Sequence, residues 1–211
     1  MHTTKDIWTD VHEERQALLG FLELLTPDQW DAPTLCAEWR VRDVVGHLVS
    51  ATDISVVRAL VAIAASGFRM NRYISKDARG RGTAPIATLL EDFRTAAPTR
   101  THPPGQSALS MLEDIVIHQI DIRWPLGQLR PVPDARLVTI ASDLVTDRFY
   151  VEQKLLRGLR VRATDADWTA GDGPEVAGPI QALVLTLSGR MVALDELDGD
   201  GLATLRRRVA T

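Results

Sequence analysis

A single cysteine, Cys36, among 211 residues excludes an internal disulfide and points to a reducing compartment. Aromatic residues make up only 5% of the chain, and a net charge of -4 leaves no basic surplus for a nucleic-acid or anionic membrane surface. The two Arg-rich spots, "ARGRG" at 78–82 and "LRRRV" at 205–209, are short and not interleaved with aromatics, so they read as solvated loop or helix ends. No long hydrophobic run occurs. The richest stretch, near 54–66, is broken by Ser55 and Arg58 and falls short of the roughly 20 residues that span a bilayer. The N-terminal segment carries no apolar signal core. There is no Walker motif, dinucleotide fingerprint or G-x-S-x-G elbow. These absences predict a soluble, cytoplasmic protein with neither a nucleic-acid nor a membrane partner.

What is present is helical periodicity. At 45% apolar the chain has enough material for one core with a small appendage. Ile7, Val11, Leu18, Leu22 and Leu25 recur at helical period and predict a first amphipathic helix. A loop containing Pro27 and Pro33 follows, then a long second helix from Arg40 to about Gly67. Residues 70–84 read as an Arg- and Gly-rich loop. A third helix has Pro85 in its first turn, a fourth runs from Ser107 to a stop at Pro125 and Gly127, and a fifth, capped by Asp134, runs to Leu156. After 157, "RVRATDADW" alternates as a strand does, "GDGPEVAG" reads as turn, Pro179 starts another helix and "DGLATLRRRV" forms a last one. The expected architecture is mainly α: an antiparallel bundle over 1–156 and a small α+β region over 157–211.

The segment "EDIVIHQID", residues 113–121, carries the chemistry. At about 100° per residue, Asp114, His118 and Asp121 fall within about 60° of one another on a helix, between apolar shoulders. Polar groups on such a stripe need partners if they are buried. Asp114 and His118, at i and i+4, can reach one metal ion together, as the two histidines of H-E-x-x-H do. Such a site needs a further ligand from another helix, and His47 in "DVVGHLV" is the candidate, with Gly46 beside it allowing a close helix approach. A His-His-carboxylate set suits Zn(II) or non-haem Fe(II) with positions left open. Asp121 either orients His118 or faces solvent. Cys36 has no basic neighbour in sequence and reads as a small buried hydrophobe. His102 reads as a loop residue. Asp165, Asp167 and Asp172 lack EF-hand spacing and read as turn formers.

Three stretches, "LTPDQWDAPTLCAEWRVRDVVGHL" at 25–48, "DIVIHQIDIRWPLG" at 114–127 and "ATDADWTAGDGPEVAGPIQALVLTLSGR" at 163–190, resemble the mycothiol-dependent maleylpyruvate isomerase family of the DinB-like metalloprotein superfamily. The resemblance implies a DinB-like four-helix bundle with a C-terminal appendage. It also implies a divalent metal, zinc foremost, held by His47, Asp114 and His118. The family position at 114 is Glu. An Asp there shortens the reach by roughly one C–C bond, about 1.5 Å. Closer helices, an intervening water, Glu113 taking over, or an impaired site would each accommodate the change.

The resemblance further implies mycothiol as thiol cosubstrate and a small electrophile as substrate, joined by S-transfer or isomerisation, in a monomer or homodimer. Arg72, Arg79 and Arg81 are candidates for holding an anionic substrate. A non-catalytic small-molecule or metal-binding protein on the same bundle is the alternative, and the short Asp114 is its main support. An interaction module is the third reading.

Overall fold

Local signals set the helix ends, and those ends position everything else. The computed structural model describes residues 4–53, 70–146 and 153–209. They group into two units, 1–130 and 131–211.

In the first unit, α1 spans Thr4–Leu22, α2 Pro27–Trp30, α3 Val41–Ser50, α4 Met70–Arg81, α5 Ile86–Ala96 and α6 Ala108–Arg123. The short α2 lies within the expected loop. It forms because Thr26 and Gln29 cap each other: Gln29 N donates to Thr26 Oγ1 at 3.4 Å and Thr26 N to Gln29 Oε1 at 2.9 Å. Ser107 caps α6 by accepting from Ser110 N at 3.2 Å. Helix α1 packs on α5 and α6, and α3 packs on α4, α5 and α6, so the bundle core is the four helices α1, α3, α5 and α6. Leu18, Leu22, Leu89, Phe93, Leu112 and Ile115 fill it with almost no exposure. Each such side chain contributes about 1.5–3 kcal/mol by leaving water.

Residues 70–81 are a helix and not the loop expected from their Arg and Gly content. The reason is tertiary. A Cβ on Gly46 would stand 2.9 Å from Arg81 Cβ and 3.0 Å from Ala78 O, so the bare backbone of α3 lets α4 lie directly against it. The helix expected to run from Arg40 to about Gly67 is seen from Val41 to Ser50; Ala51 is its C-cap, 51–53 form a turn and bend, and 54–67 lie outside the described residues. The apolar run near 54–66 lies there too. Among the described residues no helix is long and apolar enough to cross a membrane.

In the second unit, α7 spans Asp134–Leu144, α8 Gln153–Leu156, β1 Arg160–Ala163, β2 Thr169–Ala170, β3 Glu175–Gly178, α9 Ile180–Leu187 and α10 Leu202–Val209, with a 3-10 turn at Met191–Glu196. The strand order is β2-β1-β3, with β1 antiparallel to β2 and parallel to β3. Helix α9 packs on α7, β1 and β3. Helix α7, expected from the sequence to belong to the bundle, finds its apolar partner in α9 and groups with the second unit. The fifth helix is seen as α7 and α8, with 147–152 outside the described residues. Pro133, not Asp134, is its N-cap residue, and Asp134 is the first helical residue. "EVAG", expected as turn, is β3: Val176 pairs with Val161 and is fully buried. Asp165, one of the turn acids, accepts from Ile180 N at 2.8 Å and so caps α9. The architecture is mainly α, a helical bundle with a small α+β appendage.

Candidate functional site

Helices α3 and α6 bring His47, Asp114 and His118 together. Asp114 Oδ1 lies 3.2 Å from His47 Nε2 and 3.4 Å from His118 Nε2. One donor atom from each of the three lies within 4.8 Å of the others. In a tetrahedral zinc site, nitrogen at about 2.0–2.1 Å and oxygen at about 2.0–2.2 Å give N···O edges of about 3.4 Å. Both observed edges match. The short carboxylate therefore reaches both imidazoles, with no need for Glu113. That residue is rotated about 100° away on the helix, and its side chain is buried outside the set.

Asp114 is a carboxylate between two imidazoles. Burial pushes its pKa up. The charge and hydrogen bond of His47, the charge of His118 and, more weakly, the charge of Arg15 outweigh burial and bring it down to about 2. Arg15, on α1, is itself buried and donates to Thr99 O at 2.9 Å.

Asp121 does not face solvent. Its side chain is fully buried, and its Oδ2 lies 2.9 Å from His118 Nδ1. An ionised carboxylate only accepts hydrogen bonds, so Nδ1 carries the proton. In the neutral ring the His118 lone pair is then on Nε2, pointed at Asp114. A carboxylate behind a ligand histidine fixes both its tautomer and its ring plane.

Two residues at this site were not legible as such in the sequence. Trp39 lies with its ring centroid 5.1 Å from that of His47 and 6.0 Å from that of His118, and its Nε1 donates to Ser75 Oγ at 3.2 Å. Cys36 is no isolated hydrophobe. Its Sγ donates to Asp121 Oδ2 at 3.0 Å and lies 3.5 Å from His118 Nδ1. The loop between α2 and α3 delivers both residues. Leu35 N donates to the Asp121 backbone oxygen at 3.1 Å, and Thr34 Oγ1 accepts from Cys36 N and donates to Trp39 O. The only earlier sign was their place in the stretch "LCAEW" just ahead of α3.

The three arginines belong to α4. Arg79 pairs with Glu38 at 3.1 Å and Arg81 with Asp77 at 3.1 Å, while Arg72 is exposed. His102 is an exposed loop residue against Trp8.

Residues 11–123, which hold all of these site residues, match the family model of the mycothiol maleylpyruvate isomerase N-terminal domain. Two solved structures share the fold. A histidine-to-alanine mutant of the mycothiol-dependent maleylpyruvate isomerase is 14% identical, with a TM-score of 0.68 and coverage of 94% of this chain and 93% of that one. The mycothiol-dependent maleylpyruvate isomerase itself is 15% identical, with a TM-score of 0.65 and the same coverage. No curated protein matches the chain in sequence.

Proposed function

The chain belongs to the mycothiol maleylpyruvate isomerase family, and from that premise we propose that it is a metal- and mycothiol-dependent enzyme. Its reaction is isomerisation of, or S-transfer to, a small electrophilic substrate. The observation that carries the proposal is the meeting of His47, Asp114 and His118, with N···O separations of 3.2 and 3.4 Å.

A bound divalent ion, zinc by this donor set, would stabilise a thiol as its thiolate, the nucleophilic form. The remaining work falls to the chain. His47 and His118 would serve as ligands and not as proton carriers, because a metal-bound imidazole has its lone pair engaged. One carboxylate and two neutral imidazoles supply a single negative charge against two positive ones, so a further anionic donor is favoured. Trp39 lies against both imidazole rings and shields that side from water. The Cys36 S–H donates to Asp121 Oδ2, behind the His118 ring rather than toward His47 and Asp114. In this reading the attacking sulfur comes from the cosubstrate. The reach of Asp114 to both imidazoles favours the catalytic reading over a non-catalytic one.

The test is mycothiol-dependent turnover of maleylpyruvate, and of a generic aryl halide, by zinc-reconstituted protein. The reading expects conversion that requires the thiol and that His47→Ala and His118→Ala each abolish. Conversion that survives both substitutions, or that ignores mycothiol, contradicts it.

A further inference from the structure

The proposed function leaves the Cys36 thiol unused, although it sits on the far side of a proposed ligand. Cys36 Sγ, His118 Nδ1 and Asp121 Oδ2 form a triangle with sides of 3.5, 3.0 and 2.9 Å. For tetrahedral zinc, sulfur at about 2.3 Å and nitrogen at about 2.0 Å give an S···N edge of about 3.6 Å. The observed 3.5 Å meets that edge. The two edges to oxygen are hydrogen-bond lengths, so the Asp121 carboxylate would draw back by about half an ångström to admit an ion. The loop carrying Cys36 is held in place by Leu35 N on Asp121 O and by Thr34 on Cys36 N and Trp39 O.

His118 belongs to both sets, but a neutral imidazole has one lone pair. With the proton on Nδ1, Asp121 accepts it and the lone pair faces Asp114 and His47. With the proton on Nε2, Asp114 Oδ1 stands 3.4 Å away to receive it, and the lone pair faces Cys36 and Asp121. Each tautomer thus has its own carboxylate.

We propose that Cys36, His118 Nδ1 and Asp121 form a second metal position, suited to thiophilic divalent cations and filled only when His118 leaves the first. Softness drives the choice, since thiolate prefers soft ions. On binding, the S–metal bond forms as the Cys36 proton passes to solvent. The His118 proton moves from Nδ1 to Nε2, and nothing is oxidised or reduced. A thiophilic cation then inhibits without touching His47. Only this competition rests on the proposed function; the second position stands or falls separately.

The experiment titrates metal-free, full-length protein with cadmium, following thiolate-to-cadmium charge-transfer absorption and counting bound ions. His47→Ala, whose first set is broken, is expected to develop the band with one ion per chain. Cys36→Ser and His118→Ala are expected to lose it, with circular dichroism reporting that each is folded. Zinc-loaded wild type is expected to develop the band while releasing its zinc. No band in His47→Ala, a full band in His118→Ala, or cadmium adding to retained zinc would overturn the proposal.

Discussion

His118 Nδ1 lies 2.9 Å from Oδ2 of Asp121, a carboxylate buried to zero exposure three residues further along the same helix. The pair gives His118 its orientation before any ligand arrives. Replacing the carboxylate by an amide keeps the shape and removes the charge. Asp121→Asn is therefore expected to weaken zinc affinity by about tenfold or more, the usual scale for such supporting partners. Competition against a chromophoric chelator measures it, and unchanged affinity would show that Asp121 does not support the ligand.

Asp114 yields an expectation opposite to family habit. Its Oδ1 already stands at both required N···O edges, and metal–ligand distances tolerate only about 0.2 Å. Asp114→Glu adds about 1.5 Å of reach beyond the two N···O edges that Asp114 already meets. The longer residue is expected to bind zinc more weakly than Asp114, by the same chelator competition. Tighter binding would mean that the helices are set for glutamate.

Close packing at Gly46 makes a stability prediction. Ala is the better helix former by about 1 kcal/mol. Against that, its methyl would meet the Ala78 carbonyl at 3.0 Å and Arg81 Cβ at 2.9 Å. Overpacking of this kind costs about 1–3 kcal/mol. Gly46→Ala is expected to lower the urea midpoint, and a raised midpoint would show that α4 yields freely.

Acid sensitivity of the metal-free protein follows from Asp114. Its folded pKa of about 2 lies below the ordinary 3.8, so folding favours the ionised form. The stability it contributes is complete above pH 3.8 and is lost as pH falls through about 2. Urea midpoints between pH 2 and 5 are expected to fall less steeply for Asp114→Asn than for wild type. Parallel slopes would contradict the pairing with His47.

How much of this the sequence carried depends on the distance over which each signal acts. The Asp114–His118 face was legible because helical spacing is local and Ser107 and Pro125 bracket the helix. His47 was a candidate from its apolar helix and Gly46, and the resemblance singled it out, since nothing local ties it to a residue 67 positions away. Cys36 was misjudged for the same reason: its partners lie 82 and 85 residues on. Helix α4 was misread because Arg and Gly alternate at its C-terminal end, and strand β3 because Gly and Pro stand directly ahead of it in "GDGPEVAG". What makes them helix and strand is a neighbour, Gly46 of α3 for one and β1 for the other.

The central claim is that His47, Asp114 and His118 hold one metal ion. Elemental analysis of protein purified without a histidine tag, reconstituted with zinc and freed of excess, tests it most directly. The account predicts one zinc per chain in the wild type and none in His118→Ala, whose imidazole belongs to both sets, or in the double variant His47→Ala/Cys36→Ser. Wild-type protein that stays metal-free after reconstitution, or zinc retained at one equivalent in both variants, would contradict it.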